Sequence, residues 1–143
     1  MVDPIDQLKT TLKQHGFSLT AARRKVFAAL QDQEPQAMHE LILHCAGIDR
    51  ASTYRIVALF EQVGIVQRLH IGWKYKLELT DAFSHHHHHL SCLACGQVIA
   101  LPEDAALEKR LLALAQARHF LAQDHQLEIR GHCAECTRTI RQS

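Results

Sequence analysis

Residues 85–96 are His-His-His-His-His-Leu-Ser-Cys-Leu-Ala-Cys-Gly, so five consecutive histidines lead into a C-x-x-C-Gly motif. A second C-x-x-C pair follows further along the chain. C-x-x-C is a short loop that presents two thiolates from one turn, and zinc binds four ligands in a tetrahedron. The spacing therefore predicts one closed, non-catalytic structural zinc site that ties the ends of a strand–helix–strand segment together. Its predicted ligands are Cys92, Cys95, Cys133 and Cys136.

Two alternatives to this zinc site stay open at the level of sequence. A thioredoxin-like dithiol also uses C-x-x-C, although it needs only one such pair near a βαβ pattern. Two unrelated pairs of reduced thiols are the other alternative. The fifth cysteine, Cys45, stands apart and is predicted to be a small buried apolar residue.

The histidine run lies inside the chain and continues into a patterned strand, which argues against an expression tag and leaves a solvated polar strand as the plain alternative. Successive side chains of a β-strand point to opposite faces. His85, His87 and His89 would therefore point one way, and His86 and His88 the other. One strand can in this way supply two separate metal sites.

The two predicted sites draw on different parts of the chain. The even-numbered histidines are expected to face a helix that carries Glu108 and a loop that carries His125. The odd-numbered histidines are expected to face an N-terminal domain in which Glu78 ends a hairpin. Nitrogen and oxygen ligands suit iron(II), zinc, manganese, cobalt or nickel, so ligand identity alone does not name the metal.

The N-terminal half shows the order of a winged helix-turn-helix. Apolar periodicity and capping residues predict four helices. Asp3 and Thr20 are the predicted caps of the first two, and Asp49 or Ser52 is the predicted cap of the fourth. Two alternating runs about Gly72-Trp73 then predict a β-hairpin. The predicted helices cover residues 4–15, 21–30, 38–45 and 52–63, and the hairpin covers residues 65–79.

The chain is therefore predicted to be an α/β (α+β) protein with two domains. Residues 1–80 are the winged-helix domain, residues 81–84 a hinge, and residues 85–143 a second α/β domain. The second domain is predicted to contain a strand through the histidines, strands at 97–101 and 126–130, and a helix over 105–119. The inward residues of that helix are predicted to be Leu107, Leu111, Leu114 and Ala115.

Composition excludes some classes of protein. Sixteen Lys and Arg oppose fifteen Asp and Glu, so the net charge of +1 does not by itself indicate a nucleic-acid binder. A 47% apolar content is ordinary for a folded domain. With neither a signal-peptide pattern nor an apolar run long enough to span a membrane, we expect a cytoplasmic protein.

Recognition helices present their N-terminal turns to DNA, so the start of the fourth helix is the predicted DNA-reading segment. Its candidates are Ser52, Thr53, Tyr54 and Arg55. Arg and Lys of the preceding helix and of the hairpin are candidate phosphate contacts, with a solvated charged face as the plain alternative. These residues are Arg23, Arg24, Arg68, Lys74 and Lys76.

At this point the sequence resembles the ferric uptake regulator family of bacterial metal-sensing repressors. The resemblance covers nearly the whole chain, and the histidine-rich strand that runs into C-x-x-C-Gly is its most specific part. The matching segments are Leu-Thr-Ala-Ala-Arg-Arg (19–24), Ala-Ser-Thr-Tyr-Arg (51–55), Leu-Glu-Leu-Thr (77–80), residues 85–96 and Gly-His-Cys-Ala-Glu-Cys (131–136).

The resemblance implies a homodimer, with residues 85–143 as the dimerisation domain, that binds an inverted-repeat DNA operator when its sensor metal is loaded. It implies a structural Zn²⁺ on the four cysteines and a regulatory Fe²⁺ or Zn²⁺, with Mn²⁺ also suited. The implied inter-domain sensor ligands are Glu78, His87 and His89, and those of a further site are His86, His88, Glu108 and His125.

The sequence departs from the family pattern where many members place another sensor histidine. Pro35 stands at that position, and nearby His39 is a candidate substitute. Two other functional classes are alternatives to a repressor. A metal store or carrier would not bind DNA, and a metal-dependent hydrolase would need an open coordination position and a separate base, which the sequence does not supply. We expect neither membrane nor small-molecule substrate as a partner.

Overall fold

The structure is a computed structural model that describes residues 2–143. The chain divides into an N-terminal unit that ends at His85 and a C-terminal unit that begins at His86. The predicted hinge, residues 81–84, immediately precedes this boundary, and its role as a hinge stays a prediction.

Four helices and a hairpin form the N-terminal unit. Asp3, Thr20 and Asp49 begin three of the helices, because each side chain accepts a hydrogen bond from a backbone N–H of the first turn. Asp49 is thus the cap of the fourth helix, which begins two residues before the predicted start. The elements are α1 (Pro4–Gln14), α2 (Ala21–Leu30), α3 (Met38–His44), α4 (Arg50–Gln62), β1 (Val66–Ile71) and β2 (Lys74–Leu79).

The hairpin of β1 and β2 closes through the two-residue loop Gly72-Trp73. Gly72 has φ +62°, a conformation that favours glycine at the first central position of a tight hairpin turn. The predicted hairpin is confirmed. Trp73 at its tip is 88% exposed.

The apolar core lies in the N-terminal unit. Every helix contributes fully or nearly fully buried side chains, and β1 and β2 cover the core with Val66, Leu77 and Leu79. Cys45 is buried in this core as predicted, and burial raises the pKa of its thiol.

The C-terminal unit contains a three-stranded sheet and two helices. β3 is the central strand, antiparallel to β4 and parallel to β5. The elements are β3 (His87–Cys92), β4 (Val98–Pro102), α5 (Ala105–Gln116), β5 (Glu128–Gly131) and α6 (Ala134–Arg141). The predicted mixed α and β fold is confirmed, while α6 was not predicted.

The inward face predicted for α5 is only partly covered within one chain. Leu107, Leu111 and Ala115 are half-buried, but Leu114 is 50% exposed and no residue of the helix is fully buried. The prediction for Leu114 is therefore wrong for the single chain. The helix also ends at Gln116, because His119 adopts a left-handed conformation (φ 56°) in the turn that follows. Within residues 2–143, no helix is both long and apolar enough to cross a membrane.

Two leucines of α3 provide a matched test of the core. Leu41 is 0% exposed and Leu43 is 75% exposed. We expect Leu41→Ala to lower the free energy of unfolding by about 2–5 kcal/mol through lost burial and a residual cavity. Leu43→Ala should change it by less than about 0.5 kcal/mol. Urea denaturation followed by circular dichroism measures both, and equal effects would contradict this description of the core.

Candidate metal centres and DNA-binding surface

The four cysteines of the two C-x-x-C motifs converge at one end of the C-terminal unit. Cys92 ends β3, and Cys133 is the residue from which α6 begins. All four Sγ atoms lie within 4.8 Å of one another, and the Sγ atoms of Cys95 and Cys133 are 3.8 Å apart. Thiolates bound tetrahedrally about 2.3 Å from zinc are themselves about 3.8 Å apart, so this cluster could hold a zinc ion.

The electrostatics of the thiols favour a bound cation. The backbone N–H of Cys133, with further backbone hydrogen bonds, lowers the pKa of Cys92 to about 6. The hydrogen bond with Cys133, followed by burial and the other thiols, raises the pKa of Cys136 to about 12. The thiol of Cys92 thus loses its proton readily, whereas ionisation of the Cys136 thiol is unfavourable without a cation. A divalent cation makes that ionisation favourable because it stabilises every coordinated thiolate.

A second cluster gathers three imidazoles around the carboxylate of Glu108. Nε2 of His88 lies 2.6 Å from Oε1, while Nε2 of His125 and of His86 lie 2.9 Å and 3.6 Å from Oε2. The ligand atoms of these four residues lie within 4.8 Å of one another. The structure therefore brings together the even-numbered histidines, Glu108 and His125, and the set could hold a divalent metal through nitrogen and oxygen.

The Glu108 carboxylate is ionised in this cluster. Burial raises its pKa, but the hydrogen bond from His88 and the charges of His125 and His86 outweigh burial and hold the pKa below its usual value. An ionised carboxylate among imidazoles supplies the negative charge that a divalent cation needs.

The odd-numbered histidines lie on the opposite face of β3. The ring centroids of His87 and His89 are 4.8 Å apart. Glu78 belongs to the N-terminal unit, where it is 5% exposed and accepts a hydrogen bond of 2.7 Å from Nε2 of Gln67. His85 precedes the strand. The predicted sensor ligands therefore come from both units of the chain.

The position that departs from the family pattern is part of the N-terminal core. Pro35 is buried, and the adjacent Gln36 pairs through its backbone with Leu77. His39 is exposed on α3. Among residues 2–143, no cluster of three or more metal-ligating side chains includes His39.

Glu128 was not among the predicted site residues, and it lies beside His89 in the sheet. Glu128 is the β5 neighbour of His89, and its carboxylate accepts hydrogen bonds from Ser91 Oγ at 2.6 Å and from Arg130 Nε at 3.0 Å. Alternation within Gln-Leu-Glu-Ile-Arg assigns Glu128 to a strand, but only the register of the sheet shows which residue it meets.

The first turns of α4 carry the predicted DNA-reading residues. Arg55 is exposed, and its Nη2 donates a hydrogen bond of 2.9 Å to Ser52 Oγ. Tyr54 is 42% exposed, with the guanidinium of Arg50 lying 5.6 Å from its ring centroid. Both predicted base-contacting side chains therefore reach solvent.

Thr53 is a correction to the predicted set. It is 0% exposed, and its hydroxyl donates to the backbone carbonyl of Asp49 at 3.1 Å. Thr53 therefore lies on the buried face of α4 and cannot present its side chain to DNA. Sequence spacing alone did not show this burial.

The predicted phosphate contacts differ in how available they are. Arg24 is exposed on α2, whereas Nη1 of Arg23 donates to the carbonyl of Ser18 at 2.5 Å. Arg68 forms an ion pair with Glu61, and its Cζ lies 4.2 Å from the ring centroid of Tyr75. An open groove of about 530 Å³ lies between α2 and α4, and its lining includes Arg23, Ser52 and Arg55.

Comparisons with known proteins cover most of the chain. Residues 14–130 match the ferric uptake regulator family. The ferric uptake regulation protein of Escherichia coli K12 is 35% identical over 133 residues, which are 88% of this chain and 88% of that protein. The solved ferric uptake regulator of Pseudomonas aeruginosa with manganese has a TM-score of 0.69 at 29% identity and covers 87% of this chain and 96% of its own. The Helicobacter pylori regulator has a TM-score of 0.76 at 21% identity, covering 94% and 91%, and supports the fold.

The thiol cluster generates a test of zinc binding. Cys133→Ser removes one thiolate, and we expect about one fewer zinc ion per chain after dialysis against a mild chelator, because three thiolates hold zinc less tightly. Cys45→Ala is the control, since Cys45 lies in the N-terminal core. Element-resolved mass analysis measures both variants. Wild-type zinc content in Cys133→Ser would contradict the four-thiolate site.

Proposed function

Because the chain belongs to the ferric uptake regulator family, we propose that it is a homodimer that binds an inverted-repeat operator when a divalent metal fills a sensor site shared by its two units. The chain is a metal-responsive, DNA-binding transcriptional repressor. It is a regulator and not an enzyme, so the hydrolase alternative is wrong, as is a carrier that never binds DNA.

The observation that carries this proposal is the division of the histidines at the start of β3, whose first residue is His87. His86 and His88 converge with Glu108 and His125 on one side, while the rings of His87 and His89 pair on the other. A solvated polar strand would not gather a carboxylate and three imidazoles. The odd-numbered pair on the other side is proposed to bind a different metal ion.

The sensor site is proposed to consist of Glu78, His87 and His89. Glu78 belongs to the unit that carries α4, and the two histidines belong to the other unit. A metal bound by all three would favour one orientation of the units, the one in which the dimer fits its operator. A shift from about 1:99 to 99:1 requires a coupling of about 5.5 kcal/mol between metal binding and that state. Operator DNA must then tighten metal binding by the same factor.

The ligand chemistry suggests a different role for the thiolate site than for the two histidine-containing sites. Four thiolates suit a structural Zn²⁺ that is not exchanged during sensing. The nitrogen and oxygen ligands of the other two sites suit Fe²⁺, Zn²⁺ or Mn²⁺, and the Pseudomonas relative was solved with manganese. The site on His86, His88, Glu108 and His125 is proposed as a further divalent-metal site within the dimerisation domain.

The DNA contacts are proposed to centre on α4. Arg55 and Tyr54 would meet base edges in the major groove, where Arg pairs with guanine and an aromatic ring contacts the thymine methyl. Arg24 and Arg23 would contact phosphates beside it. The location that follows from this function is the cytoplasm, where the operator is.

A second copy of the chain is proposed to cover five of the exposed apolar residues of the C-terminal unit. These side chains are 48–82% exposed in the single chain, and burying them in an interface would remove apolar surface from water. They are Leu112, Leu114, Phe120, Leu121 and Ile129. Two copies then present two α4 helices to two half-sites of an inverted repeat.

The sensor proposal is tested with Glu78→Gln, which keeps the size and the acceptor oxygen of the side chain but removes its charge. We expect at least a tenfold loss of metal-dependent affinity for an operator duplex, with zinc content unchanged. Glu103→Gln, at an exposed glutamate, should bind as the wild type does.

The measurement is fluorescence anisotropy of a labelled duplex, selected from random sequences by the metal-loaded wild-type protein, at fixed salt. Chelation of the sensor metal with the thiolate zinc retained should abolish binding in the wild type. Full affinity after that chelation would show that metal does not switch the protein.

The dimer proposal is tested with Ile129→Glu, which places a charge on β5 where it would be desolvated in an interface. We expect the dimer dissociation constant to rise at least tenfold in sedimentation equilibrium, with structural zinc retained as a check of folding. Leu43→Glu on α3 is the control. A dimer unchanged by Ile129→Glu would place the interface elsewhere.

A further inference from the structure

Three side chains at the start of α4 form a continuous hydrogen-bonded series. Oδ1 of Asp49 accepts from the backbone N–H of Ser52 at 2.8 Å, and this bond caps the helix. Oδ2 of Asp49 accepts from Ser52 Oγ at 2.7 Å. Ser52 Oγ in turn accepts from Nη2 of Arg55 at 2.9 Å. The capping carboxylate of Asp49 is thus linked through Ser52 to the exposed guanidinium of Arg55.

The donors and acceptors determine the direction of this series. A serine hydroxyl has one proton and two lone pairs, and here the proton is committed to the Asp49 carboxylate. The lone pairs of Ser52 are therefore available to the guanidinium. The hydrogen bonds from Ser52, more than the nearby charge of Arg55, hold the pKa of Asp49 below its usual value, so the carboxylate stays ionised as an acceptor.

The geometry of a helix gives the series a consequence for Arg55. Residues three apart lie on one face, and long helical side chains lean toward the N-terminus. Ser52 therefore holds the guanidinium over the first turn of α4, the part of a recognition helix that meets bases. Only one of the five N–H donors is used by Ser52, so the others remain to form a two-pronged contact with a guanine edge.

We propose that Asp49 and Ser52 are positioning residues that hold the guanidinium of Arg55 in the direction in which it contacts a guanine of the operator. The inference rests on the proposed contact between Arg55 and DNA. An arginine held in place before binding loses less conformational freedom when the complex forms, so the series raises affinity through Arg55 and not through a DNA contact of Ser52 itself.

Ser52→Ala is the decisive variant, because it removes the hydroxyl but keeps the backbone N–H that Asp49 caps. With the full-length, metal-loaded protein and the selected duplex, we expect about a tenfold loss of affinity, which corresponds to about 1.4 kcal/mol. Ser52→Thr keeps a hydroxyl and should bind within about twofold of the wild type. Asp49→Asn keeps a capping oxygen but loses the charge, and should fall between them.

A double-mutant cycle with Arg55→Ala separates positioning from direct contact. Ser52→Ala should have no further effect in the Arg55→Ala background. Base preference should relax at the same operator position in both single variants, and less in Ser52→Ala because Arg55 can still reach the guanine. Additive losses would overturn the proposal, since Ser52 would then act on DNA independently. Thermal unfolding of each variant shows whether its loss of DNA affinity comes from destabilisation of the fold. A loss of affinity that parallels a fall in melting temperature would also overturn the proposal.

The outcomes distinguish this inference from the function on which it rests. Wild-type affinity in Ser52→Ala with a loss in Arg55→Ala overturns the positioning role alone. Wild-type affinity in Arg55→Ala overturns the Arg55 contact together with it. Absence of binding by the metal-loaded wild-type protein would overturn the proposed operator switch.

Discussion

The C-terminal unit buries almost no apolar side chains, and this constraint explains why metal ligands dominate its sequence. Of the buried apolar residues in the described chain, only Cys92 and Val98 lie in this unit. A segment as short as residues 86–143 cannot offset the conformational entropy of ordering with so little burial. Zinc–thiolate bonds supply folding free energy directly, and a second copy would bury more apolar surface. In the proposed mechanism the ions would therefore contribute to the fold of this unit as well as to signalling.

The alternation of side chains along β3 and the residue before it gives this small unit candidate metal ligands on two faces. Because side chains alternate along a strand, one run of histidines serves both faces without lengthening the chain. The Glu108 cluster on one face belongs entirely to the C-terminal unit, whereas Glu78, the carboxylate proposed to complete the odd-numbered face, comes from the N-terminal unit. In the proposed mechanism, only the second face converts metal binding into a change of orientation.

Prediction from sequence succeeded where chemistry is local and failed where packing decides. The caps Asp3 and Thr20 and the Gly72-Trp73 turn follow from backbone hydrogen bonds within a few residues. Thr53 was expected at the DNA and lies in the core, because successive helical residues are rotated by about 100° and this rotation places Thr53 on the buried face beside the exposed Tyr54. Leu114 was expected to face inward but is 50% exposed in the single chain, because apolar periodicity shows which residues share a helix face and not whether another element covers that face. Glu128 was missed because the sequence of one strand does not show how that strand aligns with its neighbour in the sheet.

The sequence by itself determined the winged-helix order, the four-thiol site and the division of the histidines, since each follows from spacing along the chain and from the periods of helix and strand. The tertiary structure alone decided that Asp49 begins α4, that Ser52 reaches Arg55, and that Arg68 is held by Glu61. Those contacts depend on which rotamers and neighbours the packed unit allows. Spacing names the residues that can meet, and three-dimensional packing selects the ones that do.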